Sequence, residues 1–297
     1  MTEREERRMV RSIRTLRKEE GNFTSKRLSI VCGVEKKLTT RGFQNYMHKH
    51  RFRYLRARKK GLLTGRDLGK RMKFCRRVKK YKLGEKFWTK GVSIYLDGKG
   101  FAWKQNPRDQ ARAPKARVWR KRNEGLEFGC TAKAGKAGVT NLNFIVGMSY
   151  DKGVILCSRY HGPITGAKFA RIIIKDLKPA LEKSINPKGK LVLQDNCPRQ
   201  QSKIARNALD SIGAKQIKIP ARSPDINCIE NLFAQVSRLL ERQAIDMDIT
   251  SESKEEFEER IKTTLTNFPV DKINKLIESM PTRIDMILKI KGRRLKY

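Results

Sequence analysis

The sequence predicts a mixed α/β sheet with helices on its faces, preceded by an all-α region with a helix-turn-helix outline. Three observations support this class. Residues 1–49 contain three short stretches with helical spacing of apolar residues and a tight glycine turn before the third. Apolar runs rich in β-branched residues begin after residue 90. From residue 165 onward, predicted helices alternate with predicted strands.

The first 49 residues follow the order helix, helix, turn, helix. A charged helix over residues 2–19 is followed by a short helix that begins near Thr24. A turn at residues 32–34 then precedes a third helix over residues 38–49. In a helix-turn-helix unit the helix after the turn enters the DNA major groove. The candidate base or phosphate contacts on it are Arg41, Gln44, Asn45 and Lys49. The alternative is a plain three-helix bundle with a solvated polar face.

A basic run over residues 51–82 follows, and we interpret it as a linker and a helix that track the phosphate backbone. The candidate DNA contacts at its start are Arg51, Arg53, Arg56, Arg58, Lys59 and Lys60. It continues through Arg71, Lys73, Arg76, Arg77, Lys79 and Lys80. A nuclear-import signal can share these residues, so the sequence predicts a nuclear protein. The alternative is a solvated charged face.

The second region combines strands and helices. The predicted strands cover residues 92–97, 141–150, 154–161, 190–195 and 216–219. The predicted helices cover residues 165–184, 202–212, 227–242, 252–265 and 270–290. The second and third strands are joined by a hairpin-type turn, which makes that part of the sheet antiparallel.

Charge indicates the class of partner. The 297 residues hold 69 Lys and Arg against 30 Asp and Glu, a formal net charge of +39, of which +22 falls within residues 1–90. An excess of this size indicates a polyanionic partner, and double-stranded DNA read by the first region is the predicted one. A ribosome-like or chromatin-coating protein is an alternative that charge by itself leaves open.

The sequence predicts no membrane association, because no stretch approaches the roughly 20 apolar residues of a spanning helix. The first 20 residues are too charged for a signal peptide. The six cysteines are scattered without a CxxC pair, which is typical of reduced thiols in an intracellular protein and predicts no zinc site.

Three acidic residues are candidates for metal chemistry. Asp97 and Asp195 each end a predicted strand, and Glu230 begins a predicted helix. Sites in open α/β sheets gather at the carboxyl ends of strands, and carboxylates are natural ligands of two cations that cut a phosphodiester. Each residue also has a local explanation. Asp97-Gly98 suits a hairpin turn, Asp195 suits a loop, and Glu230 suits a capping box begun by Asn227.

Taken together, the strings YLDGKGF, VLQDNCPRQ and RSPDINCIENLF resemble the Asp–Asp–Glu motifs of the Tc/mariner superfamily of cut-and-paste transposases. Asp195 and Glu230 are separated by 34 residues, the spacing of the Tc branch. The resemblance covers residues 90–245, with weaker similarity before them. It implies a ribonuclease-H-like core with Asp97, Asp195 and Glu230 as catalytic residues and ligands of two Mg²⁺ (or Mn²⁺) ions.

Two residues depart from the family pattern. Cys228 stands where the family usually has proline, and Gln200 stands where it often has histidine. Family members also usually carry two helix-turn-helix units, whereas only one fits here. One interpretation is a shortened or degenerate copy, which weakens the expectation of end recognition more than that of chemistry.

The resemblance implies an enzyme that cuts transposon ends and transfers the freed 3′-hydroxyl strand into target DNA at TA, with a homodimer pairing the two ends. The predicted divisions are a DNA-binding region with a basic linker (1–85), a catalytic domain (86–250) and a C-terminal helical tail (251–297). The alternatives are a catalytically inactive or domesticated transposase that binds specific DNA, and a general nucleic-acid chaperone.

Overall fold

The computed structural model describes residues 1–20, 23–56, 63–81, 83–112, 117–124, 140–198 and 200–295. Contacts divide the chain into two compact units. Unit 1 comprises Met1–Leu62 and Ala113–Ala137, and unit 2 comprises Leu63–Arg112 and Gly138–Tyr297. No helix within the described ranges is both long and apolar enough to cross a bilayer.

Unit 1 is built on three helices, α1 (Glu3–Glu19), α2 (Ser25–Cys32) and α3 (Thr40–Lys49). Each begins at a threonine whose hydroxyl accepts a backbone N–H bond of the first turn, which satisfies a donor that has no partner inside the helix. These N-caps are Thr2, Thr24 and Thr39. Gly33 ends α2 with φ +68°, a left-handed conformation that favours glycine. The predicted order of helix, helix, glycine turn and helix is therefore present.

The core of unit 1 comes from the apolar faces of these helices, and its central members are Met9, Ile13, Leu28, Phe43 and Met47. A two-stranded antiparallel sheet of β1 (Arg53–Arg56) and β3 (Arg117–Arg120) adds to it. The sequence had predicted a linker at β1. Its partner strand lies more than 60 residues further along the chain, so local periodicity carries no sign of the pairing.

Unit 2 contains one five-stranded mixed sheet, as predicted. Its strands are β2 (Ile94–Ala102), β4 (Asn141–Ser149), β5 (Gly153–Tyr160), β6 (Leu191–Gln194) and β7 (Lys215–Lys218). The order is β5-β4-β2-β6-β7, with β4 antiparallel to both β2 and β5, and β6 parallel to both β2 and β7. The central strand β2 thus joins the antiparallel half of the sheet to the parallel half.

Helices cover both faces of this sheet. They are α4 (Gly65–Lys80), α5 (Pro107–Arg112), α6 (Gly166–Ile172), α7 (Lys178–Glu182), α8 (Lys203–Ser211), α9 (Ile229–Asp246), α10 (Lys254–Thr266), α11 (Val270–Glu278) and α12 (Met280–Lys289). A π-helical segment, Ile173–Leu177, joins α6 to α7, so one helical run occupies the stretch predicted at 165–184. A second π-helical segment, Phe87–Gly91, precedes β2.

Alternation along β2 sends neighbouring side chains to opposite cores. Tyr95 packs in the core shared with α4 and α9–α12, whereas Leu96 packs in the core shared with α6–α8. In β6, Leu193 and Val192 divide in the same way. Side chains at the next odd-numbered positions of both strands therefore belong to the α9 face.

The observed units differ from the predicted divisions at 85 and 250. Helix α4 belongs to unit 2, because Phe74 and Val78 share the apolar core of Tyr95. The C-terminal helices share the same core through Ile273 and Ile284. Residues 251–297 are therefore part of the sheet-containing unit. The sequence did not indicate this, because the basic character of α4 suggested a DNA-binding segment and the C-terminal helices are far from β2 along the chain.

Candidate active site

Two of the candidate carboxylates follow paired residues of neighbouring strands. Asp97 follows Leu96, and Asp195 follows Gln194, and these two preceding residues are paired across the parallel strands β2 and β6. Because both strands run in the same direction, the next residues, Asp97 within β2 and Asp195 just after β6, are neighbours at this level of the sheet. Both aspartates occupy positions on the α9 face.

Glu230 comes from the helix that covers this face. It lies in the first turn of α9, whose Ile229, Leu232 and Phe233 pack in the core of Tyr95 and Leu193. The positive end of the helix dipole favours a carboxylate at this point. Three acidic residues that are far apart in sequence are thus brought to one face of the sheet.

Burial and neighbouring negative charge both act on the aspartates. Burial raises the pKa of Asp97 from 3.8 to about 8, with further contributions from the negative charges of Asp195 and Glu230. Burial also raises the pKa of Asp195. Like charges gathered in a buried place disfavour ionisation, and a bound cation would reverse that preference.

Asp97 is held by two hydrogen bonds. The backbone N–H of Gly98 donates to its Oδ1 over 2.7 Å, and Nδ2 of Asn227 donates to its Oδ2 over 2.8 Å. Asn227 is buried, and its Oδ1 has no hydrogen-bond partner among the described residues. The sequence had suggested Asn227 only as a helix cap. The signal that could have identified it is its position three residues before Glu230.

The structure agrees with the local explanation for only one of the three acidic residues. Strand β2 continues through Gly98 to Ala102, so Asp97 does not begin a hairpin turn. The N-cap of α9 is Cys228, with no side-chain capping bond, and the amide of Asn227 reaches Asp97 instead. Only Asp195 has the expected local contact, since its Oδ1 accepts the backbone N–H of Cys197 over 3.2 Å.

Both residues that depart from the family pattern are buried. Cys228 is fully buried in the α9 core, and burial raises the pKa of its thiol to about 12. It starts the helix as a small apolar residue. Gln200 is also buried, and its Oε1 has no hydrogen-bond partner within the described residues.

The oxygen atoms of these residues are the kind of ligand that a hard divalent cation prefers, since they comprise the three carboxylates and the unpaired Oδ1 of Asn227. As the side chains stand, however, no group of three or more His, Cys, Asp or Glu in the described ranges is arranged to hold a metal ion. Repulsion between the carboxylates opposes their close approach when no cation is present.

The predicted DNA contacts of α3 fall into two groups. Arg41 and Asn45 are exposed. Gln44 instead donates to Oγ of Ser25 over 2.9 Å, and Lys49 forms an ion pair with Glu6 over 2.9 Å. The second pair of side chains thus already has partners inside unit 1.

The basic run is also heterogeneous. Arg51 and Arg53 are exposed, although Arg53 donates to the carbonyl of His48 over 2.8 Å. The side chain of Arg56, together with Arg58, Lys59 and Lys60, lies outside the described residues. Arg71 corrects the interpretation of the run as a surface that tracks phosphates, because this residue is completely buried and paired with Asp225.

Comparison with known proteins identifies the family of this chain. The family model described as DDE superfamily endonuclease matches residues 95–250, more than half of the chain, and this span includes Asp97, Asp195 and Glu230. The chain belongs to this family. It is similar to the transposable element Tc1 transposase of Caenorhabditis elegans, with 27% identity over 110 residues, or 37% of this chain and 38% of that protein.

Solved structures show the same fold. The Mos1 transposase paired-end complex with left transposon end matches with a TM-score of 0.63 and 16% identity, over 96% of this chain and 79% of that chain. The catalytic domain of Mos1 mariner transposase matches with a TM-score of 0.58 and 17% identity, over 80% and 99%. These matches confirm the predicted fold, a ribonuclease-H-like core preceded by a helix-turn-helix region. The family match and the similarity to the Tc1 transposase confirm the predicted resemblance to the Tc/mariner superfamily.

Proposed function

We propose that this protein is a metal-dependent DNA transposase that cuts transposon ends and joins the freed 3′-hydroxyl strand to target DNA at TA. The proposal is supported by the register that places Asp97 and Asp195 after paired residues of β2 and β6, by Glu230 in the first turn of α9, and by a net charge of +39. Membership of the endonuclease family supports it. So do the similar Mos1 structures, which include a complex with a transposon end and a strand transfer complex.

The three carboxylates have distinct places in this proposal. Asp97 and Asp195 would hold both of two Mg²⁺ or Mn²⁺ ions, and Glu230 would hold one. Similar Mos1 structures are described with Mn and with Mg. Such ions supply an activated water and neutralise charge on the phosphoryl oxygens. The chain's own groups position the ligands: Asn227 and the N–H of Gly98 fix both oxygens of Asp97.

The proposed partner is double-stranded DNA, both transposon terminal repeats and target. Unit 1 would bind the repeats, since Arg41 and Asn45 are exposed on the helix after the turn. A homodimer would pair two ends, and the basic segments suit action in the nucleus.

The test is cleavage of a labelled duplex that carries the element's own terminal repeat, with Mg²⁺ and with EDTA. Nicking by the wild type should need the metal. Asp195→Asn should abolish nicking and leave duplex affinity within about twofold, because it removes one charge and keeps the shape. Asp210→Asn, on the exposed side of α8, is the matched control and should cut normally.

Binding without nicking by the wild type would contradict the enzymatic proposal and favour an inactive, DNA-binding transposase. Equal loss of cutting and binding in Asp195→Asn would show that Asp195 is structural.

A further inference from the structure

A buried ion pair joins α4 to the loop that precedes α9. Nη1 and Nη2 of Arg71 donate to Oδ1 and Oδ2 of Asp225 over 2.7 and 2.6 Å, and both side chains are essentially inaccessible to solvent. Two parallel bonds between planar groups fix orientation as well as distance. Arg71 belongs to α4, whereas Asp225 belongs to the loop of residues 223–227 that leads into α9.

The C-terminal segment of residues 292–295 completes this pair. The carbonyl of Gly292 accepts Nε of Arg71 over 2.7 Å, and the carbonyl of Arg293 accepts Nη2 over 3.2 Å. The backbone N–H of Leu295 donates to Oδ2 of Asp225 over 2.9 Å. Both members of the pair are therefore satisfied by a segment that lies outside the span matched by the family model.

A second buried arginine holds the same stretch of chain. Nη1 of Arg283, on α12, donates to the carbonyl of Asp225 over 3.1 Å and to Oδ1 of Asn231 over 2.9 Å. Residues 225 and 231 are thus both anchored by buried guanidinium groups. Between them lie Asn227, which bonds to Asp97, and Glu230. The contacts of the acidic site consequently depend on a short segment that is held near both of its ends.

We propose that Arg71 is a positioning residue for the acidic site. Through its bidentate pair with Asp225 it holds residues 223–227 in the conformation that directs Asn227 to Asp97 and starts α9 where Glu230 faces the same place. The effect on catalysis rests on the proposed function. The effect on the position of Asn227 is independent of it and can be measured separately.

The test removes each ion pair as a unit, because a single substitution would leave a buried charge without its partner. Arg71→Met/Asp225→Leu removes the proposed positioning pair. Arg260→Met/Glu252→Met is the matched control. It removes another bidentate pair of unit 2, with bonds of 2.6 and 2.7 Å and little exposure. Arg71→Lys keeps the charge but loses the planar fork, and it serves as the milder variant if the double variant does not fold.

The measurements on the full chain are thermal unfolding, the side-chain amide signals of ¹⁵N-labelled asparagine, the affinity for Mn²⁺ alone, and the turnover and KM for the duplex. For Arg71→Met/Asp225→Leu we expect cooperative thermal unfolding, a moved Asn227 signal, at least tenfold weaker Mn²⁺ binding, and lower turnover at unchanged KM. Arg71→Lys should move the same quantities less. The control pair should leave Asn227 and Mn²⁺ affinity within twofold of the wild type.

The positioning role is overturned if both double variants weaken Mn²⁺ binding equally, or if the Asn227 signal stays at its wild-type position without the Arg71 pair. A wild-type chain that neither binds Mn²⁺ nor cuts DNA would contradict the proposed function instead. In that case the Asn227 signal still decides whether Arg71 positions the loop.

Discussion

The side-chain amide of Asn227 lies 2.8 Å from Oδ2 of Asp97, across 130 residues of sequence. This bond and the N–H of Gly98 favour the charged form of Asp97, whereas burial and the nearby charges of Asp195 and Glu230 oppose it. Burial and the neighbouring charges have the larger effect, and they raise the pKa of Asp97 to about 8. Asn227 therefore limits how strongly Asp97 holds a proton.

Replacing Asn227 with alanine should lower the cleavage rate near neutral pH by about tenfold. A hydrogen bond to a charged group contributes about 1.5–3 kcal/mol, so its loss should raise the pKa of Asp97 further. The rate should partly recover at higher pH, where Asp97 is again ionised. The measurement is the cleavage rate from pH 6.5 to 9.5 for both proteins.

The control for this substitution is Asn274→Ala. Nδ2 of Asn274 makes the same kind of bond, 2.7 Å to Oδ1 of Asp151, at an exposed place. Its pH profile should match the wild type. Superimposable profiles for Asn227→Ala and the wild type would mean that the bond to Asp97 has no effect on its ionisation.

Asp97→Asn should stabilise the metal-free protein. The pKa of Asp97 is about 8 in the folded protein and 3.8 in the unfolded chain. Ionisation of Asp97 therefore lowers the free energy of unfolding progressively as pH rises from about 4 to 8, and the loss is complete above pH 8. Each pH unit within that window is equivalent to at most about 1.4 kcal/mol. The Tm difference between variant and wild type, measured in EDTA, should therefore grow from pH 4 to 8 and then level off.

Millimolar Mg²⁺ should raise the Tm of the wild type and leave that of Asp97→Asn unchanged, because a cation offsets the repulsion only when the carboxylates are present. Asp210→Asn should respond to Mg²⁺ as the wild type does. A Tm difference that is constant from pH 4 to 9 would contradict the assignment of a raised pKa to Asp97.

Gly292→Ala should destabilise unit 2 by about 2–4 kcal/mol, since it combines backbone strain with a steric clash. Gly292 has φ +78°, and a Cβ there would lie 2.8 Å from the carbonyl oxygen of Leu68 in α4. Gly213→Ala is the control: its φ is +70°, but a Cβ would have open space. Urea unfolding of the two variants measures both free energies of unfolding, and their difference is the cost of the steric clash at Gly292. Equal destabilisation of the two variants would mean that Gly292 does not lie close to Leu68.

Arg41→Ala should weaken duplex binding by about 1–3 kcal/mol, whereas Lys49→Ala should change it less, because Lys49 is paired with Glu6. If Arg41 contacts a phosphate, the slope of log affinity against log salt should fall by about one; if it contacts a base, discrimination should relax at one position. Fluorescence anisotropy over a salt series measures both. Equal effects of Arg41→Ala and Lys49→Ala would contradict the predicted orientation of α3.

Much of the acidic site could be predicted from sequence because its signals are local. Asp195 follows a short apolar strand, and Glu230 lies in a distinctive string at the spacing of a known family. Asp97 had the weaker motif, since many strands end in aspartate, and it was the pairing of β2 with β6 that placed it beside Asp195. The DNA-binding roles of Arg41, Gln44, Asn45 and Lys49 stay predictions.

The sequence by itself determined the mixed sheet, the three N-terminal helices, the basic character and the acidic candidates, because periodicity, caps, turns and charge act over a few residues. Only the tertiary structure decided which charges are exposed. Arg71 has the same local context as the basic residues around it, yet it is buried against Asp225, 154 residues away. A single pairing between distant residues produces no periodic pattern in the sequence. The contacts that hold the loop before α9 are therefore seen only in the tertiary structure, where α4, this loop and the C-terminal segment pack together.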